Sequence, residues 1–254
     1  MRMFSWRLIR MWQRNRDVFV RLWHAEAPGS IAEPVLVILA MGLGMGAYVG
    51  MVDGQKYIEF IVPGIIASYG MFSASFECTY GSFYRMEERK TYDSIIATPL
   101  NVEDVIAGEI LWGATRAAVT GTIILAVSTA FQLVHSPWAL LIPVVSFLGG
   151  FLFSSIAIVY TSFVPSFYSF NYYFTLFITP MFFLGGVFFP LSNFPEIVQN
   201  LSWFVPLAPV VRMARALVTG EFYIELFIAL AIVLVLSAIF FTIALASMRR
   251  RLIV

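Results

Sequence analysis

Cysteine, histidine, lysine and charge of either sign are all scarce in this chain of 254 residues. The one cysteine, Cys78, excludes an internal disulfide framework and a multi-cysteine metal centre. His24 and His135 lie far apart and stand in no HxxxH or HExxH pattern, so no metal site is expected. Lysine occurs only at Lys56 and Lys90, and glycine precedes neither. The chain therefore lacks the glycine-rich loop and lysine that cradle nucleotide phosphates. GxSxG elbows and dinucleotide fingerprints are absent too. No catalytic, cofactor-binding or metal-binding residue is expected, and the chain is read as not an enzyme. Charged residues make up 12%, about half the ~25% usual for a soluble domain. The net charge of +1 implies no general attraction to nucleic acid.

What is abundant is apolar: 60% of residues are hydrophobic and the mean hydropathy is +0.84. Too little polar surface exists to cover a water-soluble core, so the solvent is lipid. A span needs roughly 20 apolar residues to cross a ~30 Å hydrocarbon core. Unpaired backbone groups are too costly there for anything but helices. Six runs qualify: Ile31–Gly50, Ile58–Tyr80, Gly108–Val134, Trp138–Val164, Tyr172–Phe189 and Phe222–Ser247. The fold class expected is an all-α integral membrane protein of six spans, forming one domain over 1–254 with spans across 31–247. A further stretch, Phe194–Leu217, is broken by Pro195, Pro206 and Pro209 and carries Glu196, Arg212 and Arg215. It reads as re-entrant helices at the outer face, between spans five and six.

Orientation follows from lysine and arginine. Six arginines precede the first span, Arg85, Arg89 and Lys90 follow the second, and Arg249, Arg250 and Arg251 follow the sixth. With six spans all twelve fall on one side, which places both termini in the cytoplasm. The N-terminus is not expected to be a secretory signal, because its first 23 residues hold those six arginines and no apolar core. Residues 1–27 read instead as an amphipathic interfacial helix. Phe4, Leu8, Met11, Trp12, Phe19, Leu22 and Trp23 fall on one arc, and Arg7, Arg10, Arg14 and Arg21 on another. Pro28 and Gly29 are expected to end it. A solvated helix that binds a partner is the alternative.

Four features stand out as candidates for function. The first is the polar segment Arg85–Asp104, in which Glu87–Ile96 can form a short helix before Pro99, and Asn101 with Asp104 can cap the next one. Such a helix between two spans is a lever, although an ordinary loop is the alternative. The second is the ladder Gly42, Gly46 and Gly50, whose spacing lets helices approach closely. The third is Tyr160–Phe189, with 13 aromatics among 30 positions, suited to sugar rings and acyl chains or simply to a lipid-facing surface. The fourth is a set of ionisable groups at membrane depth, Glu77, Glu109 and Arg116. Glu109 and Arg116 share a helix face, and Glu77 can meet Arg85 or Arg116. A structural ion pair and a proton relay both fit.

Two segments carry a family resemblance: EERKTYDSIIATPLNVEDVIAGEILW and TPMFFLGGVFFPLSNFPEIVQNLSWFVPLAPVVRMARAL. With the order of the other parts, they resemble the ABC-2 family of transport permeases and, within it, the nodulation protein J branch of lipo-oligosaccharide exporters. The likeness covers nearly the whole chain. It implies a homodimer, or a pair with a related permease, docked on two copies of a separate ABC ATPase that bind ATP and Mg. It implies that the region 85–100 is the coupling helix, with Glu87, Glu88, Arg89, Tyr92, Asp93, Ile95, Ile96 and Pro99 meeting the ATPase. Residues 1–27 would be the connecting helix, and Phe194–Pro209 would close the outer face. Gly42, Gly46, Gly50, Phe72, Phe76, Tyr173 and Phe177 would sit at the dimer interface or pathway. An amphipathic substrate, such as a glycolipid, polysaccharide or drug, would cross the cytoplasmic membrane. Two rival classes remain. An ion-gradient-driven transporter or channel would use Glu77, Glu109 and Arg116 as a relay, but no inverted repeat is evident. A lipid-modifying enzyme would need a cluster of reactive residues at one depth, and the histidines are not placed for it.

Overall fold

The structure is a computed structural model that describes residues 6, 8–52, 54–96 and 100–252, with the side chains of 25–31, 93, 94, 96 and 198 left aside. Arg2, Phe4, Arg7 and Pro99 therefore lie outside the described residues, and Asp93 and Ile96 are described as backbone alone. Apart from one hairpin of two-residue strands, the described chain is helical. Helix α1 is Leu8–Leu39, extended through a wide turn at Ala40–Met45 and a last turn at Gly46–Val49. Strands β1 (Met51–Val52) and β2 (Gln55–Lys56) pair antiparallel, Met51 opposite Lys56. Helix α2 is Tyr57–Phe76 and continues through wide turns at Glu77–Gly81 and Tyr84–Glu88. Then come α3 (Thr91–Ile96), α4 (Val102–Ala130), α5 (Ile142–Thr161) and α6, built from Phe170–Tyr173, Phe174–Ile178 and Thr179–Leu184. Helices α7 (Glu196–Ser202), α8 (Leu207–Thr219) and α9 (Ile224–Leu252) complete the chain.

Among the described residues five stretches are long and apolar enough to cross a membrane: Ala32–Val49, Tyr57–Glu88, Val102–Ala130, Pro137–Thr161 and Ile224–Leu252. The fifth run expected, Tyr172–Phe189, is shorter as a helix than as an apolar stretch. It ends at Gly185, and Gly186 adopts a φ of 77°, a conformation that breaks a helix. At 1.5 Å per residue, residues 170–184 reach only about 22 Å.

Packing among α2, α4 and α5 depends on small residues. Gly113 faces Ser154 and Cys78, Gly121 faces Ser146, and Gly150 faces Ala114 and Ala117. Lipid provides little hydrophobic drive between helices, so close backbone approach supplies the attraction. Two expectations need correction here. The N-terminal helix does not end at Pro28–Gly29, because α1 runs through both into the first span. A proline removes one donor, whereas a helix end would leave several backbone groups unpaired. Nor is its apolar arc wholly available to lipid. Met11 is buried against Gly108, and Trp12 donates to the Thr115 hydroxyl at 2.9 Å.

Helices α7 and α8 form the predicted broken segment. α8 buries Leu207, Val210, Val211, Ala214, Leu217 and Val218, and stops at Gly220, whose φ of 79° suits a left-handed cap.

Candidate functional site: an ion cluster under a short helix

The wide turn at Glu77–Gly81 brings Glu77, Ser82 and Arg85 around to face α4. Arg85 Nη2 donates to Glu77 Oε1 at 2.8 Å and also pairs with Glu109. Glu109 is fully buried. The Ser82 hydroxyl donates to its Oε2 at 2.9 Å, and the Asn15 amide of α1 donates to its Oε1 at 3.3 Å. Arg116 stands 3.7 Å from Glu77 Oε2, its guanidinium 4.5 Å above the Phe19 ring. Two carboxylates and two guanidiniums thus join α1, α2 and α4 in a neutral cluster. An unpaired charge at such depth would be costly, and mutual pairing removes most of that cost.

Arg85 corrects the expected boundary of the polar loop. It is not in a loop but on the extended end of α2, with its side chain only 17% exposed. The predicted helix Glu87–Ile96 is split. Arg89 and Lys90 form a turn in which Lys90 takes a φ of 48°, and only Thr91–Ile96 is helical beyond it. The cap at Asn101 is present as expected, with the Asn101 N–H donating to the Asp104 carboxylate at 3.4 Å.

Helix α3 is short but anchored. Tyr92 is completely buried, close to Glu109 and Arg85. Burial, reinforced by the Glu109 charge, pushes the Tyr92 phenol far above its ordinary range, so it stays neutral. A second anchor lies beside it. Arg251, at the end of α9, donates to the carbonyls of Thr161 and Val164 at 2.6 and 2.8 Å and to Glu87 at 2.9 Å. It caps the otherwise unpaired carbonyls at the end of α5 while holding α2. Glu88 and Arg89 are exposed on the turn, and Ile95 is partly buried.

The aromatic candidates fall together, and the glycines do not join them. Phe76 stacks on Phe174 at 4.2 Å, Phe72 meets Phe182 at 5.5 Å, and Tyr173 meets Phe177 at 5.6 Å. Phe76 is 48% exposed and Phe177 36%. Gly42 instead packs on Ile58, Gly46 faces Tyr57 at a distance, and Gly50 is a helix terminator with a φ of 69°. The ladder therefore serves one close contact and one chain reversal.

A cavity of about 850 Å³ lies between α1 and the aromatic surface of α2 and α6, lined by Leu36, Met41, Phe72, Phe182 and Phe188. Glu33 and Tyr69, facing each other, supply its polar end. Neither was among the candidates. Glu33 had a visible signal, as the one acidic residue in the run Ile31–Gly50. A further, more polar cavity of about 460 Å³ is lined by Gln199, Trp203, Arg212 and Arg215, with the Arg212 guanidinium 3.4 Å above the Trp203 ring.

Long apolar helices, one internal ion cluster and large cavities open beside the helices together describe a polytopic membrane protein of the transport class. Comparison with known proteins narrows this. Residues 7–219 match the ABC-2 type transporter family, and the chain belongs to it. It is similar to nodulation protein J of Sinorhizobium fredii (strain NBRC 101917 / NGR234), 38% identical over 211 residues that cover 83% of this chain and 80% of that protein. Nodulation protein J of Rhizobium meliloti (strain 1021) is 33% identical over 251 residues, 98% of this chain and 95% of the relative. The inner membrane transport permease YadH of Escherichia coli (strain K12) is 26% identical over 207 residues, 81% of this chain and 80% of that protein.

Proposed function

We propose that the chain is the permease subunit of an ATP-binding cassette exporter, working as a dimer with two copies of a separate ATPase and moving an amphipathic substrate outward across the inner membrane. The observation that carries this reading is the seat of α3. A six-residue helix at the inner end of two long spans has Tyr92 buried beside the charges that join α1, α2 and α4. Force applied to α3 from outside the bundle has a rigid route into it. In this reading a partner with bound ATP and Mg supplies that force.

In this reading Glu87, Glu88, Arg89, Tyr92, Asp93, Ile95, Ile96 and Pro99 form the coupling segment. Residues 167–184, counting the turn Phe167–Ser169, make the fifth of six crossings. Six crossings place both termini in the cytoplasm, and α7 and α8 dip into the outer face. The cavity beside Phe72 and Phe182 takes the apolar part of the substrate, and a second permease copy closes it from the α1 side. A lipo-oligosaccharide fits the pairing of an apolar cavity with a more polar, tryptophan-bearing one. Two-state coupling of this kind needs a ligand with unequal affinity for the two arrangements. The ion cluster favours this reading over a proton relay, because each carboxylate is already paired with an arginine.

Reconstituted vesicles containing permease and ATPase test the lever. Asp93→Arg and Tyr92→Ala should insert normally yet lose export, while Tyr92→Phe keeps it. Export at the wild-type rate with Asp93→Arg and Tyr92→Ala would refute the coupling role.

A further inference from the structure

A second cavity at the inner side, of about 410 Å³, opens between α1 and the ends of α2 and α4. Arg85 and Arg116 of the ion cluster form one wall, Arg14 of α1 another, and Arg89 of the turn before α3 a third. Glu77 is the one carboxylate lining it, and Glu109 sits behind Arg85. Four positive charges against two negative leave two uncompensated. They are Arg14 and Arg89. Arg14 donates only to the neighbouring Asn15 amide oxygen at 3.2 Å, and Arg89 only to the Tyr84 hydroxyl at 3.0 Å. Neither has a carboxylate partner among the described residues. The Arg85 Nε is buried with no hydrogen-bond acceptor.

The rim of this cavity has different chemistry. Val18, Phe19 and Leu22 line it from α1, with Val18 and Leu22 48% and 51% exposed, and Trp112 lines it from α4. Guanidiniums, from the shielded Arg85 and Arg116 to the exposed Arg89, stand beside the exposed apolar Val18 and Leu22, and together they match an anion that carries hydrocarbon chains. A phosphodiester accepts well from guanidinium forks, and acyl chains would continue along Val18 and Leu22. A zwitterionic headgroup would bring its own cation among the arginines and be disfavoured.

We propose that this cavity binds the phosphate headgroup of an anionic phospholipid, wedged between α1 and the inner end of α2. The bound lipid would neutralise Arg14 and Arg89 and hold α1 against the segment that leads into α3. Permease activity would then depend on the anionic lipid content of the surrounding membrane. The inference needs no ATPase and stands apart from the export reading.

The test uses the full chain, purified without its partner, and native mass spectrometry to count adducts. Short-chain phosphatidylglycerol, short-chain phosphatidylcholine and inorganic phosphate are titrated separately. Phosphatidylglycerol should bind at least tenfold more tightly than phosphatidylcholine, and less tightly as salt rises. The double variant Arg14→Gln with Arg89→Gln should weaken that binding about tenfold or more. Leu22→Glu, which leaves the ion cluster untouched, should weaken it as well. Arg249→Gln, at an exposed arginine paired elsewhere with Glu103, should change nothing. Equal retention of the two lipids would overturn the proposal. So would binding of inorganic phosphate with no phospholipid adduct, or indifference to both arginine changes.

Discussion

Replacing Glu109 by glutamine removes the one charge of the cluster that is completely shielded from solvent. The carboxylate accepts from Arg85, Ser82 and Asn15 and is fully buried. Without it Arg85 keeps only Glu77, which already serves Arg116 at 3.7 Å. The cluster then carries one unmatched positive charge. Coulomb's law at about 3 Å and an effective dielectric of about 20 gives roughly 5 kcal/mol for the lost attraction. Breaking one partner of a buried pair costs about 3–5 kcal/mol in measured cases. The amide still accepts one hydrogen bond, so about 3 kcal/mol is expected, the low end of that range. The double variant Glu109→Leu with Arg85→Met removes both charges and leaves Glu77 with Arg116 as a neutral pair. It should be more stable than either single variant. Thermal unfolding in detergent, followed by fluorescence-detected gel filtration, reads wild type, Glu109→Gln, the single variants Glu109→Leu and Arg85→Met, and the double variant. With ~2–4 °C per kcal/mol for a chain of this size, Glu109→Gln should melt roughly 6–12 °C below wild type. Single changes that are neutral, or costs that simply add in the double variant, would refute the reasoning. ATP-driven export retained by Glu109→Gln at temperatures where it is folded would also exclude a relay through this carboxylate.

Other outcomes follow from the same contacts. Arg251→Ala leaves the Thr161 and Val164 carbonyls without this donor and Glu87 with Lys90 alone, and should lower the melting temperature while reducing export per ATP hydrolysed in reconstituted vesicles. Gly108→Val drives a side chain into Met11 and should cost about 1–3 kcal/mol, read as faster proteolysis of the N-terminal part of α1 in isolated membranes. Cys78 is buried and flanked by Gly113, so a maleimide should label it in denatured but not in folded protein. Phe182→Ala enlarges the apolar cavity beside Phe72 and should raise the substrate concentration for half-maximal export without reducing ATPase stimulation.

Most of the long helices are legible in the sequence because lipid leaves hydropathy little to compete with. The charge cluster was legible in part. Helical spacing put Glu109 and Arg116 on one face, and Glu77 was within reach of either arginine. What the spacing could not show is the wide turn at Glu77–Gly81, which rotates Ser82 and Arg85 inward and makes Arg85 the centre of the cluster. The Asn101 cap was readable because its chemistry is local. The continuity of α1 through Pro28 and Gly29 was not, because turn residues mark a helix end only where water or a cap can take the freed backbone groups. The glycine ladder was legible only as a capacity for close approach. Spacing says that a close approach is possible, but the partner chosen at Gly42 is Ile58 of the same chain, and Gly50 is needed for its positive φ. Around α6, thirteen aromatics among the thirty positions of Tyr160–Phe189 raised the apolar count, while Gly185 and Gly186 cut the helix short.

The most direct measurement is export by the purified permease in sealed vesicles, with and without an ABC ATPase subunit that copurifies with it, under ATP and under an imposed proton gradient. Export should require both the ATPase and ATP, and should be indifferent to the gradient. Movement of substrate by the permease alone, driven by the gradient, would contradict the claim that α3 receives its force from a separate motor.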